Sequence, residues 1–281
     1  MISLIICASQ PDISAELKQN IDSTIGYDHE YVVIDNSNNK HSIFSAYNEG
    51  ITRSKGDILV FMHQDIDYQT INWGGVIEDL LKDNSIGIIG FGGAHFLSSA
   101  PMYWSESPII SEYCKHNDNG RVYDCIAKNY MNNGLADVAV IDGMCMMARR
   151  EVFDKLAFDE KNYKGFHMYD MDICMQILQT GLRVCVTDKI LVTHHWSEDA
   201  MYSKKGADLL SINLEVFANK WNNQLPILVG TDSDTINVDN LNKICLDIYD
   251  GKKVRSTLHY RLGKFLLHPS IKTLRNLIKK Y

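Results

Sequence analysis

The residues with the clearest capacity for chemistry follow one apolar run. Residues 58–62 are five consecutive apolar side chains after Gly56, which predicts a strand buried on both faces of a sheet. His63, Asp65 and Asp67 come directly after this run. Ligands of open α/β sheets bind outside the carboxyl ends of the strands, where an imidazole and two carboxylates can hold a divalent metal against phosphate oxygens. The alternative interpretation is a polar turn, because Asp is a common turn residue.

Two later groups of side chains offer matching chemistry. Asp170 and Asp172 open a segment that is predicted to be a helix, so they are either functional carboxylates or capping residues that the helix dipole favours. His194 and His195 directly follow a short apolar strand. Two adjacent histidines at a strand end indicate a functional site more strongly than one does, although a single histidine is often structural.

The elements that must position these residues alternate along the chain. Apolar runs predict strands at residues 3–7, 31–34, 58–62 and 86–91, and helical periodicity predicts helices at 11–25, 42–54 and 73–82. Strands that alternate with helices predict an α/β fold with a doubly wound, largely parallel sheet. Residues 96–136 show no clear period and are predicted to form an irregular loop region over the site.

The composition excludes several classes of protein. The 281 residues are 45% hydrophobic and 22% charged, which suits one large α/β domain with an appendage and argues against disorder. No apolar run approaches the roughly 18 residues of a membrane span. Residues 1–7 are interpreted as a first strand and not as a secretory segment. Seven cysteines without a Cys-x-x-Cys pair are typical of a reduced, cytoplasmic protein.

Charge is divided unequally between the body of the chain and its end. Nine of the 28 Lys and Arg residues and none of the 35 acidic ones lie in Gly251–Tyr281, so the first 250 residues hold 19 basic against 35 acidic side chains, a net charge of −16. Leucines and aromatic residues on either side of Pro269 have helical spacing, which predicts two amphipathic helices. These helices either pack on the catalytic domain or a dimer partner, or bind an anionic membrane surface.

Several motifs fall in one order along the chain. In that order and spacing the sequence resembles the inverting glycosyltransferases of family 2, which have the GT-A fold, over approximately residues 1–200. The motifs that carry the resemblance are Val32-Val33-Ile34-Asp35-Asn36-Ser37, Ala46-Tyr47-Asn48-Glu49-Gly50 with Gly56-Asp57, Phe61-Met62-His63-Gln64-Asp65, and Phe158-Asp159-Glu160 leading to Tyr169-Asp170-Met171-Asp172.

The resemblance implies a nucleotide-sugar site with a metal and a base. Asp170 matches the general base of the family, and Asp65 matches the last carboxylate of its Asp-x-Asp metal motif. His194 or His195 matches the late metal ligand, with Asp67 as a further candidate and Mn²⁺ or Mg²⁺ as the metal. The residues implied to bind the donor are Ala8, Ser9, Gln10, Asp35, Asn48, His63, Gln64, Asp142 and Gly143.

The sequence departs from the family pattern at four positions. His63 replaces the first Asp of the metal motif, and Tyr47 replaces an Arg that is common before the Asn. Tyr169 replaces the Glu before the base, and Gln176 stands where Arg is frequent. Because a neutral His contributes less charge against a diphosphate than a carboxylate does, Asp67 is the residue expected to compensate.

The resemblance also implies an activity and a domain organisation. The expected enzyme is a hexosyltransferase that moves a sugar from a UDP- or dTDP-sugar to a hydroxyl of a glycan, lipid-linked or protein-linked acceptor, in polysaccharide or glycoprotein assembly. Residues 1–220 form the GT-A catalytic domain, with a nucleotide-sugar half at about 1–95 and an acceptor half at about 96–220. Residues 221–281 form a basic helical extension. The protein is expected in the cytoplasm, peripheral at the inner face of the cell membrane, as a homodimer and without nucleic acid.

Two other functions compete with the transferase. A glycoside hydrolase would also use two carboxylates, but that reaction gives no reason for Asp35 or for metal-type residues at strand ends. A non-catalytic nucleotide-sugar or saccharide-binding protein would explain the missing first Asp of the metal motif. A nucleotidyltransferase is disfavoured, because residues 8–14 lack the glycines and the Lys or Arg that grip a triphosphate.

Overall fold

A computed structural model describes residues 1–195, 204–231 and 236–256. Its strands are β1 (Ile2–Ala8), β2 (His29–Asp35), β3 (Ile58–Met62), β4 (Ile66–Tyr68), β5 (Ile86–Gly90), β6 (Gly92–Ala94), β7 (Phe96–Leu97), β8 (Ile110–Asp118), β9 (Arg121–Ala127), β10 (Leu135–Asp137), β11 (Val140–Ile141), β12 (Cys145–Arg149), β13 (Arg183–Thr187), β14 (Val192–His194) and β15 (Ile227–Leu228). Its helices are α1 (Ala15–Thr24), α2 (Ile43–Arg53), α3 (Trp73–Leu81), α4 (Tyr169–Gln179), α5 (Lys204–Lys220) and α6 (Val238–Ser256).

The central sheet has the strand order β10-β13-β5-β12-β3-β1-β2. β1 pairs in parallel with β2 and β3, and β13 pairs in parallel with β5. β12 lies between these two parallel groups and runs antiparallel to both of its neighbours. The predicted α/β fold is confirmed, and the sheet is mixed at β12 and at the edge strand β10.

Helices cover both faces of this sheet, as a doubly wound fold requires. α1 and α3 pack on one face, where Ile21 and Trp73 enter a core with the strand residues Leu4 and Val60. α2 and α4 pack on the other face, where Phe44 contributes to a second core. The apolar positions on one side of each helix therefore select which face it covers.

A second sheet lies at the carboxyl ends of the central strands and has the order β11-β6-β8-β14-β4, with β9 added to β8. The prediction that residues 96–136 are irregular was wrong, because β8 and β9 form an antiparallel hairpin there. Asn119 and Gly120 connect the two strands with positive φ angles of 51° and 90°. Asn-Gly is the preferred pair for such a turn, since both central residues adopt left-handed backbone angles.

The end of the described chain packs against the same body. β15 pairs with β7, and the side chain of Asn242 on α6 accepts hydrogen bonds from the Ser98 hydroxyl and the Ser99 N–H, both at 2.8 Å. The amphipathic helices predicted on either side of Pro269 lie outside the described residues. Among the described ranges no helix is both long and apolar enough to cross a membrane.

Candidate functional site

Three predicted metal ligands meet where β3 and β14 end. β14 runs antiparallel to β4 with His194 opposite Ile66, so that His194 lies beside the loop that connects β3 to β4. His194 Nε2 is 3.5 Å from Asp65 Oδ1, and His63 Nδ1 is 3.9 Å from the same oxygen. One ligand atom from each of the three side chains lies within 4.8 Å of the other two.

The chemistry of this cluster fits a divalent cation. Asp65 Oδ1 and His194 Nδ1 are buried and have no hydrogen-bond partner among the described residues. Burial opposes ionisation of Asp65, but the neighbouring imidazoles of His194 and His63 outweigh it and lower the pKa of Asp65 below its usual value. A buried carboxylate oxygen between two imidazoles is a donor set that accepts Mn²⁺ or a similar cation.

His63 is held in place by a second contact. Its Nε2 lies 2.7 Å from the hydroxyl of Tyr169, and its backbone N–H donates to the carbonyl of Met144 at 2.9 Å. Burial lowers the pKa of His63, which favours the neutral imidazole that ligates metals. With Nε2 engaged by Tyr169, Nδ1 is the nitrogen that faces Asp65.

Asp67 and His195 form a separate pair. His195 Nε2 is 2.6 Å from Asp67 Oδ2, and His195 Nδ1 is 3.0 Å from the side-chain amide of Asn117. Neighbouring residues of an extended chain point to opposite sides, so His194 and His195 cannot both face Asp65. The geometry groups His194 with Asp65 and leaves Asp67 and His195 paired with each other.

Asp170 lies at the start of α4 and is only 1% exposed. Its carboxylate accepts hydrogen bonds from the N–H of Met171 at 2.8 Å, the N–H of Gly143 at 3.1 Å and the hydroxyl of Tyr103 at 3.1 Å. Burial, and next the charge of Asp142, raise the pKa of Asp170 to about 7, although these hydrogen bonds act to lower it. A carboxylate with a pKa near neutrality can accept a proton at physiological pH.

The turn before β12 connects Asp170 to the metal-type cluster. Asp142 accepts the N–H of Met144 at 2.7 Å, which fixes the turn that contains Gly143. A Cβ atom at Gly143 would lie 2.2 Å from the Tyr169 hydroxyl, so only glycine allows Tyr169 to reach His63. The predicted residues Asp142 and Gly143 therefore shape the space between the two groups.

Two tyrosines of the site were not predicted to be functional. Tyr103 precedes a short 3-10 helix at Trp104–Glu106 within the region that was predicted to be irregular, and no sequence pattern marks it. Tyr169 was noted only as a departure from the family pattern. His63 is also a departure from that pattern, and only the structure shows that Tyr169 and His63 are in contact.

Comparison with known proteins identifies the family of the chain. The sequence profile of a family described as "Glycosyltransferase like family" matches residues 3–212. The chain belongs to this family. Streptomycin biosynthesis protein StrF of Streptomyces griseus is 28% identical to the chain over 162 residues, which are 56% of this chain and 54% of that protein. The match thus spans about half the length of that relative.

Two solved structures align with the chain at low sequence identity. The crystal structure of GalNAc-T7 with UDP, GalNAc and Mn²⁺ aligns with 12% identity and a TM-score of 0.48, over 70% of this chain and 44% of that one. The crystal structure of A197 from STIV aligns with 11% identity and a TM-score of 0.42, over 69% of this chain and 85% of that one.

In this member of the glycosyltransferase-like family, the predicted nucleotide residues gather at the ends of β1, β2 and β3. The amide of Gln64 donates to the Ser9 hydroxyl at 2.6 Å, and its oxygen accepts the Ser9 N–H at 3.2 Å. Ala8 and Asp35 are partners in the parallel register of β1 and β2. Gln10 and Asp35 are exposed, and Asp35 accepts the N–H of Ser37 at 2.9 Å. Hydrogen bonding with the side chain and then the backbone of Ser37 lowers the pKa of Asp35.

Asn48 lies away from this group. Its side-chain amide donates to the carbonyl of Phe158 at 2.9 Å, and its oxygen accepts the Phe158 N–H at 3.0 Å. The amide thus joins α2 to the loop before α4. A role for Asn48 in binding the donor stays a prediction, and its observed contacts position that loop.

Asp172 is a structural residue rather than a second base. It is 1% exposed and accepts hydrogen bonds from the hydroxyl of Tyr163 at 2.9 Å and the indole of Trp221 at 2.9 Å. The ammonium group of Lys220 lies 2.8 Å from the same carboxylate oxygen. The two carboxylates at the start of α4 therefore differ: Asp170 faces the Gly143 turn, and Asp172 ties α4 to the end of α5.

Proposed function

We propose that this protein is an inverting hexosyltransferase that uses a nucleoside diphosphate sugar, with UDP- and dTDP-sugars as the first donors to test. The observation that supports this most is one network of contacts between two chemically different groups. Asp170 is fixed by Gly143 and Tyr103, and the neighbouring Tyr169 contacts His63 of the metal-type cluster. The candidate base and the candidate cation site are thereby linked through Tyr169, the residue next to Asp170.

Asp170 is the proposed general base. The acceptor hydroxyl must lose its proton as its oxygen attacks the anomeric carbon, and Asp170 takes that proton. A pKa of about 7 leaves roughly half of the Asp170 carboxyls ionised at pH 7. A single displacement without a covalent intermediate on the protein inverts the anomeric configuration.

Asp65, His63 and His194 are the proposed metal ligands, with Mn²⁺ or Mg²⁺ as the cation. When bound, the cation neutralises the charge that develops on the leaving diphosphate. Asp65 supplies the one carboxylate of the three, and His63 and His194 act as neutral ligands. Asp67 and His195 are not proposed as ligands, and their contact with each other supports the loop between β3 and β4.

The donor nucleotide is proposed to lie across the ends of β1, β2 and β3. The exposed carboxylate of Asp35 suits a hydrogen bond to a ribose hydroxyl or base, and Ser9 and Gln64 are already paired beside it. Ala8, Gln10, Asp142 and Gly143 complete the proposed donor site. The acceptor is a hydroxyl of a glycan, lipid-linked or protein-linked saccharide, and the enzyme acts at the cytoplasmic face of the membrane.

A donor panel tests this function. The full chain is incubated with UDP- and dTDP-sugars and Mn²⁺, with and without excess EDTA, and nucleoside diphosphate release is followed. We expect release with at least one donor, abolished by EDTA and by Asp65→Ala. Donor binding without turnover in every case would instead support a saccharide-binding protein, and full activity in EDTA would remove the cation from the mechanism.

A further inference from the structure

A second set of metal-ligating side chains lies on the β8–β9 hairpin. Glu112, Cys114 and His116 alternate along β8, and alternate residues of a strand project from the same face. Cys125 of β9 is the direct partner of Cys114 across the antiparallel register, so it projects from that face as well. Four side chains from two strands, namely two thiols, one imidazole and one carboxylate, therefore converge.

Two distances among Glu112, Cys114 and His116 match those between the ligands of a tetrahedral site. His116 Nε2 is 3.4 Å from Glu112 Oε1, and Cys114 Sγ is 3.6 Å from the same oxygen. Zinc bond lengths place tetrahedral ligands about 3.4 Å apart for an oxygen and a nitrogen, and about 3.5 Å for an oxygen and a sulfur. Cys125 lies opposite Cys114 in the register of the hairpin, so its thiol is the candidate for the fourth ligand.

We propose that Glu112, Cys114, His116 and Cys125 bind Zn²⁺. Two sulfur ligands and one imidazole favour zinc over Mn²⁺ and Mg²⁺, which prefer oxygen ligands. The group is also shielded from water: Cys114 is fully buried, and the side chains of Glu112 and His116 are 16% and 17% exposed. This site is separate from the Asp65 cluster.

A metal ion that joins β8 to β9 would stabilise the hairpin. Within the described chain β9 pairs only with β8. Val122 and Ile126 on its other face are 54% and 51% exposed, so apolar burial contributes little to holding it. Zinc between Cys114 and Cys125 would cross-link the two strands at one register position, as structural zinc sites do in small β-hairpins.

The proposed zinc also lies next to the candidate active site. His116 and His194 are partners in the parallel register of β8 and β14, and their rings are 5.5 Å apart between centroids. One strand pair therefore carries a ligand of each site. Zinc would stiffen the strand against which His194 packs.

Metal content and cobalt spectroscopy test the proposal on the full chain. After dialysis without chelator we expect about one zinc per chain by mass spectrometry of the metals. Co²⁺ added to the metal-free chain should give the intense d–d bands of tetrahedral coordination and thiolate-to-cobalt charge transfer. Cys125→Ser should weaken Co²⁺ binding by at least about 100-fold, whereas Cys7→Ser, a thiol outside the group, should leave the spectrum unchanged.

Two outcomes would overturn the proposal. One is a parent chain without retained zinc whose Co²⁺ spectrum lacks thiolate charge transfer. The other is a disulfide between Cys114 and Cys125, detected as a loss of two hydrogens in the intact mass and of two reactive thiols. Asp65→Asn removes a ligand of the other cluster only. If the two sites are distinct, the Co²⁺-loaded variant must keep the thiolate charge-transfer bands. The first outcome is measured on the parent chain alone, so it can be decided even if a variant fails to fold.

Discussion

The proposed chemistry depends most directly on the carboxyl group of Asp170. Asp170→Asn keeps the size of the side chain but removes the proton acceptor, so we expect transfer to fall by about 100- to 10,000-fold. Donor affinity should change only a few-fold, because the amide oxygen of Asn can still accept the N–H of Gly143. Steady-state transfer and calorimetric donor binding measure the two effects. Transfer within a few-fold of the parent would place the base elsewhere.

The raised pKa of Asp170 predicts a pH profile. Only the ionised carboxylate accepts a proton, so kcat/KM should fall about tenfold per pH unit below pH 7 and level off above it. Stability should change in the opposite sense. Because the folded-state pKa is above the usual 3.8, the contribution of Asp170 to stability is complete below pH 3.8 and is lost as the pH rises to about 7. An acid limb near pH 4 would contradict the assignment.

The hydroxyl of Tyr169 should matter for metal binding. Tyr169→Phe removes the contact that directs Nδ1 of His63 toward Asp65, and we expect Mn²⁺ affinity to fall by about 10- to 100-fold. Tyr163→Phe is the matched control, because Tyr163 is also buried but bonds to Asp172. Titration of Mn²⁺ by electron paramagnetic resonance gives both affinities. Equal affinities in the two variants would show that His63 needs no support.

His63 and Tyr169 also show what the sequence can and cannot predict about single residues. Each was visible as a departure from the family pattern, but their positions are 106 residues apart and nothing in the sequence says that they touch. The structure shows that the two replacements form one hydrogen bond. Likewise, the sequence left His194 and His195 as equal alternatives, and strand alternation in three dimensions separates them.

Among the helices, α4 and α5 are joined at Asp172. Asp172→Ala would leave the indole N–H of Trp221, the hydroxyl of Tyr163 and the ammonium of Lys220 without this acceptor, and we expect a loss of about 3–5 kcal/mol in unfolding free energy. Chemical denaturation measures this loss. Asp79→Ala removes an exposed carboxylate that pairs with its helical neighbour, so it serves as the control and should change stability little. A small effect for both variants would show that other contacts hold α4 to α5.

The sequence predicted the central strands well because buried apolar runs are unambiguous. It did not predict the direction of β12, since a strand buried on both faces has the same apolar pattern whether it is parallel or antiparallel. It also missed β8 and β9, although Asn119-Gly120 is a strong hairpin signal. The polar residues of β8 obscured it: Glu112, Cys114 and His116 face one another in a polar cluster and give no apolar alternation.

At the scale of the whole molecule, charge separates the body from the end of the chain. The first 250 residues carry a net charge of −16, and the remaining 31 carry nine basic residues and no acidic ones. An acidic body is repelled by an anionic membrane, whereas a basic segment is attracted to it by about 1 kcal/mol per Lys or Arg near the surface. A membrane-linked acceptor would make such an orientation useful to the proposed transferase.

Removal of residues 257–281 tests this role of the basic segment. The cut follows α6 and leaves in place the hydrogen bonds of Asn242 with Ser98 and Ser99. It removes six basic residues, namely Arg261, Lys264, Lys272, Arg275, Lys279 and Lys280. The full chain should sediment with phosphatidylserine liposomes at low salt, release at high salt and ignore phosphatidylcholine liposomes, and the shortened chain should bind neither. If the full chain ignores anionic liposomes, or if the shortened chain loses its cooperative thermal unfolding, the segment serves the fold instead.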